Sequence, residues 1–565
     1  MEQTLISTHI FLFPFKWEHN GFADMSGMRN ALGKEWKHYN DFSLTTLSAY
    51  NEYNFFHDFT RKILYDLDQS SLPHDPGEDI FLDHYVHNST SSGNSVYLIQ
   101  INTQEEFDRK ANENKAKQDN CYYGKNLYEL EVDRDGILLH LYNNGVGVLS
   151  FHLSNRKEDQ KADIDILLIN QFGRRLFPPF FTIDKNKIGT KDAFDDDSFD
   201  SGFAKALGVV FPFSIRIERK SENDTKTAEP IEPVKKEKPD YSSGMFRLPN
   251  FINELFPAEI RPNNLGNTLK ISPVLDDRMY IISWYGNNNL GKNVALNDTY
   301  LTCDWWFKFV FVDTGMKTCQ NESMTRSLLS KSTNPRWSGY NTVYGASSYS
   351  FVCLTNDLIT LKGNNAEFIP HHMQTIYYKM VELVLLQRTC LLLFSERITT
   401  ISGHLGDKDY DLGKHVGSLY EDYIRFINKI YFREITPQDQ GIELYNLLQD
   451  QMKIPQNVKE LKEEIKDLHD YVSLQEDELR NKKLNLLTII NFIFLPVSVV
   501  LAFFGMNYFG KDDLQVDPFK NFADSQSLYS VFWALGFLVL TIVFSLLVWQ
   551  AIRKEYTFKK MFSKK

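Results

Sequence analysis

The stretch that decides the fold is residues 481–507, NKKLNLLTIINFIFLPVSVVLAFFGMN. From residue 484 onward it contains no Asp, Glu, Lys or Arg, and Leu, Ile, Val and Phe dominate. An α-helix rises about 1.5 Å per residue, so this segment is long enough to cross the roughly 30 Å hydrocarbon core of a bilayer. The sequence therefore predicts a transmembrane helix over residues 484–507.

A second apolar segment, residues 528–552, follows a loop at 508–527. Basic residues precede the first segment and follow the second, in a tail at 553–565, whereas the loop holds four Asp and two Lys. Lys and Arg stay on the cytoplasmic side of a membrane. We therefore expect a multi-pass protein of the inner membrane, with both termini in the cytoplasm and the loop outside.

Small and moderately polar residues share one face of the first segment. They recur at spacings of three and four, as one face of an α-helix requires: Asn481, Leu484, Thr488, Asn491, Leu495, Ser498, Ala502 and Gly505. Such a stripe fits a narrow water-filled axis shared by several subunits. A seam that packs helix against helix has the same pattern, so spacing alone leaves both interpretations open.

The segment ends in Gly505-Met506-Asn507. A Gly-Met-Asn sequence at the end of the first of two carboxyl-terminal spans resembles the signature of the CorA magnesium-channel superfamily. Residues 481–490 and the Phe-Leu-Pro at 494–496 are also similar to that family's first transmembrane helix. The resemblance implies a homopentamer whose pore conducts Mg²⁺ or another divalent cation as cargo, and no organic cofactor is expected.

The resemblance also implies roles for single residues. Gly505, Met506 and Asn507 form the selectivity motif: Gly505 allows a tight turn, and the Asn507 amides hydrogen-bond the water shell that Mg²⁺ gives up reluctantly. Three leucines match hydrophobic constrictions that gate by dewetting: Leu484, Leu487 and Leu495. The following loop departs from the family's common Met-Pro-Glu-Leu sequence, and its Asp512 and Asp513 would concentrate cations at the mouth.

Upstream, apolar residues alternate at three and four from Val458 to Val472. This pattern predicts a coiled-coil stalk at 456–483 that continues into the pore helix, and an ordinary amphipathic helix of a bundle is the alternative. At the inner mouth, Lys482 and Lys483 would form a basic collar that repels cations, or would reach toward anionic lipid head groups.

The rest of the chain predicts a large cytosolic domain, so the fold class is α+β. The net charge of −11 argues against a nucleic-acid-binding surface, which needs clustered Lys and Arg. Strand and turn signals divide the domain into a β-rich part at 1–215, a disordered linker at 216–244, a second β-rich part at 245–365 and a helical part at 366–455. We expect strands at 96–101, 127–132, 137–142, 146–153, 279–284, 306–312 and 349–354, a turn at Asp135-Gly136, and helices at 162–175 and 380–395.

Three groups of residues in this domain are candidate sites. The acidic run Asp195, Asp196 and Asp197 has the chemistry of a metal site, and a solvated loop has the same composition. A stretch rich in aromatic and small residues is a candidate ligand pocket, with plain loop structure as the alternative: Arg336, Trp337, Tyr340 and Tyr344. His84 and His87, at helical spacing, are candidate metal ligands without an evident third.

The domain is larger than a magnesium channel requires. In size and layout the chain resembles enlarged CorA-like proteins of type III CRISPR antiviral defence, which are membrane effectors opened by a nucleotide messenger such as an S-adenosylmethionine–AMP conjugate. A membrane-tethered enzyme is least favoured, because the sequence has no P-loop, H-E-x-x-H, G-x-S-x-G or dinucleotide fingerprint. Expected partners are membrane lipid, further copies of the chain and, in the defence hypothesis, the messenger.

Overall fold

The computed structural model of the protein describes residues 4–19, 25–38, 46–65, 82–91, 93–100, 127–142, 144–176, 214–219, 247–263, 269–314, 317–407 and 410–508, and scattered positions between 532 and 550. The chain divides into two compact units. The amino-terminal unit comprises Met1–Asp409 and Ser418–Glu464, and the carboxyl-terminal unit comprises Tyr410–Gly417 and Ile465–Lys565.

The amino-terminal unit is built on a sheet of twelve described strands. They are β1 Ser7–His19, β2 Trp36–His38, β3 Leu82–His87, β4 Ser95–Gln100, β5 Leu127–Tyr142, β6 Val146–Asn155, β7 Ser214–Arg219, β8 Leu269–Pro273, β9 Tyr280–Gly286, β10 Thr333–Asn334, β11 Val343–Ala346 and β12 Ser350–Thr355. The main path runs β10-β11-β12-β9-β1-β6-β5-β3-β2, with β4 between β5 and β7 and with β8 on β1. Strands from both predicted β-rich parts therefore share one sheet.

The central strand β1 contains a proline, which is normally found at sheet edges because it cannot donate to a neighbouring strand. On one side β1 pairs with β6 along its length. On the other side it pairs with β9 from Ser7 to Leu12 and with β8 from Phe15 to His19. Pro14 lies in the gap between these two partners, so its missing N–H removes no ladder hydrogen bond on that side.

Both faces of the sheet are buried, and β6 shows why. Its apolar residues Leu149, Phe151 and Leu153 point into a large hydrophobic core shared with β1. The alternate residues Ser150, His152 and Ser154 are polar and also buried, because successive side chains of a strand point to opposite faces. The second face of the sheet is therefore a buried polar surface.

Fourteen helices are described. They are α1 Met25–Leu32, α2 Leu47–Asn54, α3 Asp58–Leu64, α4 Asp163–Gly173, α5 Asn250–Asn253, α6 Asn288–Ala295, α7 Asp304–Phe311, α8 Glu322–Ser332, α9 Leu358–Gly363, α10 Phe368–Gln374, α11 Ile376–Gly403, α12 Leu412–Lys429, α13 Asp439–Gln451 and α14 Ile454–Tyr508. Helix α4 packs its Leu168, Ile169 and Phe172 into the large core. Helix α11 covers the polar face, where Tyr378 hydrogen-bonds the hydroxyl of Ser150 at 3.1 Å.

Several sequence predictions are confirmed as elements, among them the strands near 96–101, 146–153, 279–284 and 349–354 and the helices near 162–175 and 380–395. Residues 306–312, predicted as a strand, belong to helix α7. The predicted turn at Asp135-Gly136 is instead a β-bulge inside the long strand β5, where Asp135 has a φ of 55°. Residues 216–219, predicted as linker, belong to β7, which pairs with β4; residues 220–246 lie outside the described part.

Candidate functional site

The predicted pore residues lie on α14. They are helical and exposed on the single chain: Asn481, Leu484, Leu487, Thr488, Asn491, Leu495, Ser498 and Ala502. The Thr488 hydroxyl donates to the Leu484 carbonyl at 2.8 Å, and the Ser498 hydroxyl donates to the Phe494 carbonyl at 2.8 Å. The helix backbone thus satisfies both hydroxyls. Lys482 and Lys483 of the predicted collar are also exposed.

The selectivity motif lies in the last turn of α14. This helix passes through Gly505, Met506 and Asn507 and ends at Tyr508. The tight turn predicted at Gly505 is therefore wrong, because the backbone there is helical. The last four carbonyl groups of an α-helix have no hydrogen-bond donor within the helix. The Gly-Met-Asn motif therefore lies where the backbone of α14 presents carbonyl groups that are unpaired within the helix.

The predicted membrane spans are described only in part. Most side chains between 493 and 507 and most residues of 528–552 lie outside the described set, as do Asp512 and Asp513 of the loop. In the portion of the chain that the structure describes, no helix is both long enough and apolar enough to cross a bilayer.

The seam predicted for the stalk is a buried stripe at the start of α14. Val458 and Leu461 are buried in the amino-terminal unit, and Ile465 and Leu468 are buried in the carboxyl-terminal unit. Farther along, side chains become exposed, and Leu479 is 57 % exposed. Within the carboxyl-terminal unit, α12 and α14 are close together at Gly413. A Cβ atom on this glycine would lie 3.9 Å from the Val472 side chain and 3.3 Å from the Glu476 side chain.

The four residues of the candidate ligand pocket are partly brought together. The Arg336 guanidinium lies 5.7 Å from the Trp337 ring centre, and the Trp337 and Tyr344 rings meet edge to face at 5.5 Å. Arg336 also forms an ion pair with Glu443. Tyr344 is buried, whereas Tyr340 is 77 % exposed. A ligand pocket at these residues stays a prediction.

Neither predicted metal site is formed within the described residues. Asp195, Asp196 and Asp197 lie outside them. His84 and His87 are in strand β3, not in a helix; an odd separation places their side chains on opposite faces of the sheet. Among the described residues, no group of three or more His, Cys, Asp or Glu has the arrangement to hold a metal ion.

A cavity of about 230 Å³ opens between the polar face of the sheet and α11, a site that the sequence did not predict. Its lining includes His84, His140, His152, Gln374, Tyr378 and Lys379. His84 of β3 and His140 of β5 are direct cross-strand partners, and their ring centres are 4.1 Å apart. The His152 ring of β6 meets the Tyr378 ring edge-on at 4.5 Å.

A buried carboxylate lies beneath the histidines. Glu382 is 1 % exposed and accepts a hydrogen bond from Nδ1 of His140. Its Oε1 also accepts from the Tyr142 hydroxyl at 3.3 Å, and its Oε2 lies 3.8 Å from Nζ of Lys379. Burial raises the pKa of Glu382, but the charges of His140 and Lys379 and these hydrogen bonds outweigh it and lower that pKa. Glu382 is therefore a carboxylate anion, and Lys379 is its counterion.

Two of the three histidines are held neutral without full hydrogen bonding. Burial lowers the pKa of His152 to about 3 and, with the charges of His140 and Lys379, lowers the pKa of His84 well below its usual value. Among the described residues, no partner lies within hydrogen-bonding distance of Nε2 of either ring. Unpaired buried polar atoms cost free energy. A polar ligand atom in the cavity that hydrogen-bonds one of these Nε2 atoms would remove that cost.

These neutral histidines predict acid sensitivity. In the unfolded chain, His84 and His152 bind protons below a pH of about 6.5, whereas in the folded chain they resist protonation. Stability present above pH 6.5 is therefore lost as the pH falls toward 3, by at most about 1.4 kcal/mol per pH unit for each histidine. We expect the thermal unfolding midpoint of the full-length protein, followed by tryptophan fluorescence, to fall between pH 6.5 and 5.

The matched variant is His152→Phe, whose thermal unfolding midpoint should fall less between pH 6.5 and 5. His371 acts in the opposite sense, because its hydrogen bond to Glu52 raises its pKa, so its stabilisation is lost as the pH rises. That histidine is half exposed, and solvent reduces its effect. A midpoint that is constant from pH 6.5 to 5, or a fall that is identical in His152→Phe, would contradict the assignment.

Comparison with known proteins assigns the carboxyl-terminal region. Residues 419–554 match the family model of the CorA-like Mg²⁺ transporter protein. No curated protein matches the chain. The matched residues include most of α12, the whole of α13 and α14, and the Gly-Met-Asn motif at its end. This carboxyl-terminal region is therefore similar to the CorA-like Mg²⁺ transporter family.

Proposed function

We propose that the chain is one subunit of a homopentameric divalent-cation channel of the inner membrane, with both termini in the cytoplasm. Five copies of α14 surround the ion path, and their stripe from Asn481 to Ala502 faces it. The amino-terminal unit is cytosolic and controls opening. The chain has no catalytic role, and Mg²⁺ is the transported ion.

The observation that carries this proposal is the continuity of α14. This single helix of 55 residues, Ile454–Tyr508, begins in the amino-terminal unit and reaches the Gly-Met-Asn motif. Consecutive turns of an α-helix are tied by backbone hydrogen bonds, so a displacement at the buried start of α14 is transmitted along the helix. The side chains from residue 474 to residue 491 are exposed on the single chain, the stripe from Asn481 to Asn491 among them, so this part of the helix is free to contact lipid and other copies of the chain.

The test uses the full-length protein reconstituted in liposomes loaded with a Mg²⁺-sensitive dye. We expect an inward Mg²⁺ gradient to raise dye fluorescence in proteoliposomes and not in empty liposomes. Light scattering of the purified protein in detergent should give a protein mass of about five chains, each of 65.9 kDa. Absence of flux for Mg²⁺, Co²⁺, Ni²⁺ and Zn²⁺, or a mass of one chain, would refute the proposal.

A second candidate is a ligand-gated effector in antiviral defence, opened by a nucleotide messenger. The cavity under α11 is the observation in its favour, since a buried, partly unsatisfied polar site in the amino-terminal unit is what a gating ligand requires. The discriminating experiment repeats the liposome assay with and without an S-adenosylmethionine–AMP conjugate. Flux only with the conjugate supports the effector, and equal flux in both arms without binding of the conjugate removes it.

A further inference from the structure

A cluster of arginines lies at the junction of α4 and β9, and none of them lines the cavity under α11. Arg174 and Arg175 directly follow α4, and Arg278 precedes β9. The two segments are tied together, because the amide of Met279 donates to the carbonyl of Arg174 at 2.7 Å and Arg175 forms an isolated β-bridge with Arg278. Backbone pairing therefore fixes three guanidinium groups near one another.

One aromatic ring lies close to two of these guanidinium groups. The Tyr349 ring centre is 5.4 Å from Cζ of Arg174 and 5.6 Å from Cζ of Arg278. Tyr349 itself is held by its carbonyl, which accepts from the amide of Ile281 at 3.0 Å. A fourth arginine, Arg388 of α11, donates to the carbonyl of the adjacent Ser348 at 2.8 Å. The loop between β11 and β12 is thus surrounded by cationic side chains.

The carboxylates that the structure describes near the cluster are fewer than its cations. Asp276 hydrogen-bonds Arg278, with Nε to Oδ2 at 2.7 Å, and Asp277 lies 3.9 Å from the same group. Burial, with a hydrogen bond and the charge of Asp276, raises the pKa of Asp277 to about 6. Arg174 and Arg175 have no comparable ion pair in the described part of the chain. The cluster therefore carries surplus positive charge.

Arg174 is the least satisfied of the group. It is 3 % exposed, and among the described residues no acceptor lies within hydrogen-bonding distance of its Nε or Nη1. Nε of Arg175 is also without an acceptor in the described residues, although its Nη2 donates to the Gln171 amide oxygen at 3.0 Å in the favoured amide orientation. Burial and the charges of Arg278 and Arg175 lower the pKa of Arg174 to about 9. Buried N–H donors are almost always paired, so within the described part of the chain this site is short of a partner that carries acceptor oxygens and negative charge.

We propose that Arg174, Arg175 and Arg278 bind the phosphate group of a small molecule beside Tyr349. A phosphate supplies several acceptor oxygens and accepts the two parallel bonds of a guanidinium fork. Its double negative charge offsets the positive charge of the arginines that Asp276 and Asp277 do not balance. Tyr349 is 41 % exposed and Arg278 is about a third exposed, so the ligand enters from their side. This site belongs to the amino-terminal unit and does not depend on the proposed channel activity.

The test is equilibrium dialysis of radiolabelled inorganic phosphate against the full-length protein in detergent, at pH 8 and constant ionic strength with chloride as the competing anion. A second arm uses labelled glycerol phosphate, which separates free phosphate from a phosphate monoester as the preferred source. We expect saturable binding of at least one probe with one site per chain. Removal of one bidentate guanidinium in Arg278→Ala should weaken binding by about tenfold or more.

Two further variants keep the proposal open to refutation. Arg174→Lys retains the positive charge and loses the forked guanidinium, so it should also weaken phosphate binding. If this buried substitution disturbs folding, the affinity measured for Arg278→Ala still tests the proposal, because Arg278 is more exposed. Arg425→Ala is the control, because this arginine of α12 is 70 % exposed and pairs with Asp422 outside the cluster, and it should bind like the wild type. Lack of saturable binding to either probe, or affinity unchanged in both Arg278→Ala and Arg174→Lys, would overturn the assignment.

Discussion

Asn507→Ala is expected to reduce Mg²⁺ flux through reconstituted protein by about tenfold or more and to weaken discrimination against monovalent cations. The substitution removes, in each subunit, the amide that the proposed channel presents to the hydrated ion at the end of α14. A methyl group cannot hydrogen-bond the water shell, and Mg²⁺ loses that shell reluctantly. The measurement is dye-reported influx from matched Mg²⁺ and K⁺ gradients.

Asn485→Ala provides the matched control. Asn485 is an exposed residue of α14, but it lies outside the predicted stripe, and its loss should leave flux within about a factor of two of the wild type. Equal flux and selectivity in Asn507→Ala and the wild type would show that the amide at the end of α14 has no part in ion passage. Equal losses in both variants would instead indicate a general effect on the helix.

The long helix was the most predictable part of the molecule. The seam from Val458 to Val472 and the stripe of the first apolar segment each repeat at spacings of three and four, although the stripe is offset from the seam by two residues, and no glycine lies between them before residue 505. Helix formation is cooperative, so two adjoining helical patterns favour one long helix. The predicted end at residue 507 is one residue from the observed end at Tyr508. The tight turn expected at Gly505 is not formed, because a single glycine lowers helix propensity by only about 1 kcal/mol.

Residues 304–311 show how propensity misleads. Trp306, Phe307, Phe309 and Val310 are residue types enriched in strands, and the sequence analysis predicted a strand there. The buried set includes Trp306, Phe309 and Val310, at spacings of three and one, which is one face of a helix. Asp304 in the first turn supports this start, since acidic groups are favourable at helix amino termini. Periodicity was the better guide here than composition.

The cavity under α11, which is lined by His84, His140 and His152, could not be predicted from local sequence. His84, His140, His152 and Glu382 are separated by up to 298 positions, and only the register of β3 with β5 and the packing of α11 bring them together. Register depends on contacts across the whole sheet. One local signal existed: Ser150, His152 and Ser154 alternate with large apolar residues in a strand that is buried on both faces. Polar residues in such positions need buried partners.

Glu382→Gln is expected to destabilise the amino-terminal unit by about 3–5 kcal/mol, the usual loss when one partner of a buried ion pair is removed. The amide keeps the size of the carboxylate, and its oxygen can still accept hydrogen bonds at the position of Oε1, but it leaves the buried ammonium of Lys379 without its counterion. Nδ1 of His140 and the Tyr142 hydroxyl both donate to Oε1 of Glu382. The readout is the thermal unfolding midpoint of the full-length protein, which should fall by several degrees.

The same substitution at Glu443 separates this effect from a general loss of charge. Glu443 pairs with Arg336, and both side chains are about 40 % exposed, so Glu443→Gln should cost no more than about 1 kcal/mol. The double variant Glu382→Gln/Lys379→Met should recover part of the loss, because it removes the uncompensated cation as well. Without such recovery, the damage would come from the hydrogen bonds of His140 and Tyr142 rather than from the ion pair. Equal midpoints for Glu382→Gln and Glu443→Gln would mean that water reaches Glu382 and that this carboxylate is not the buried anion on which the histidine cavity is built.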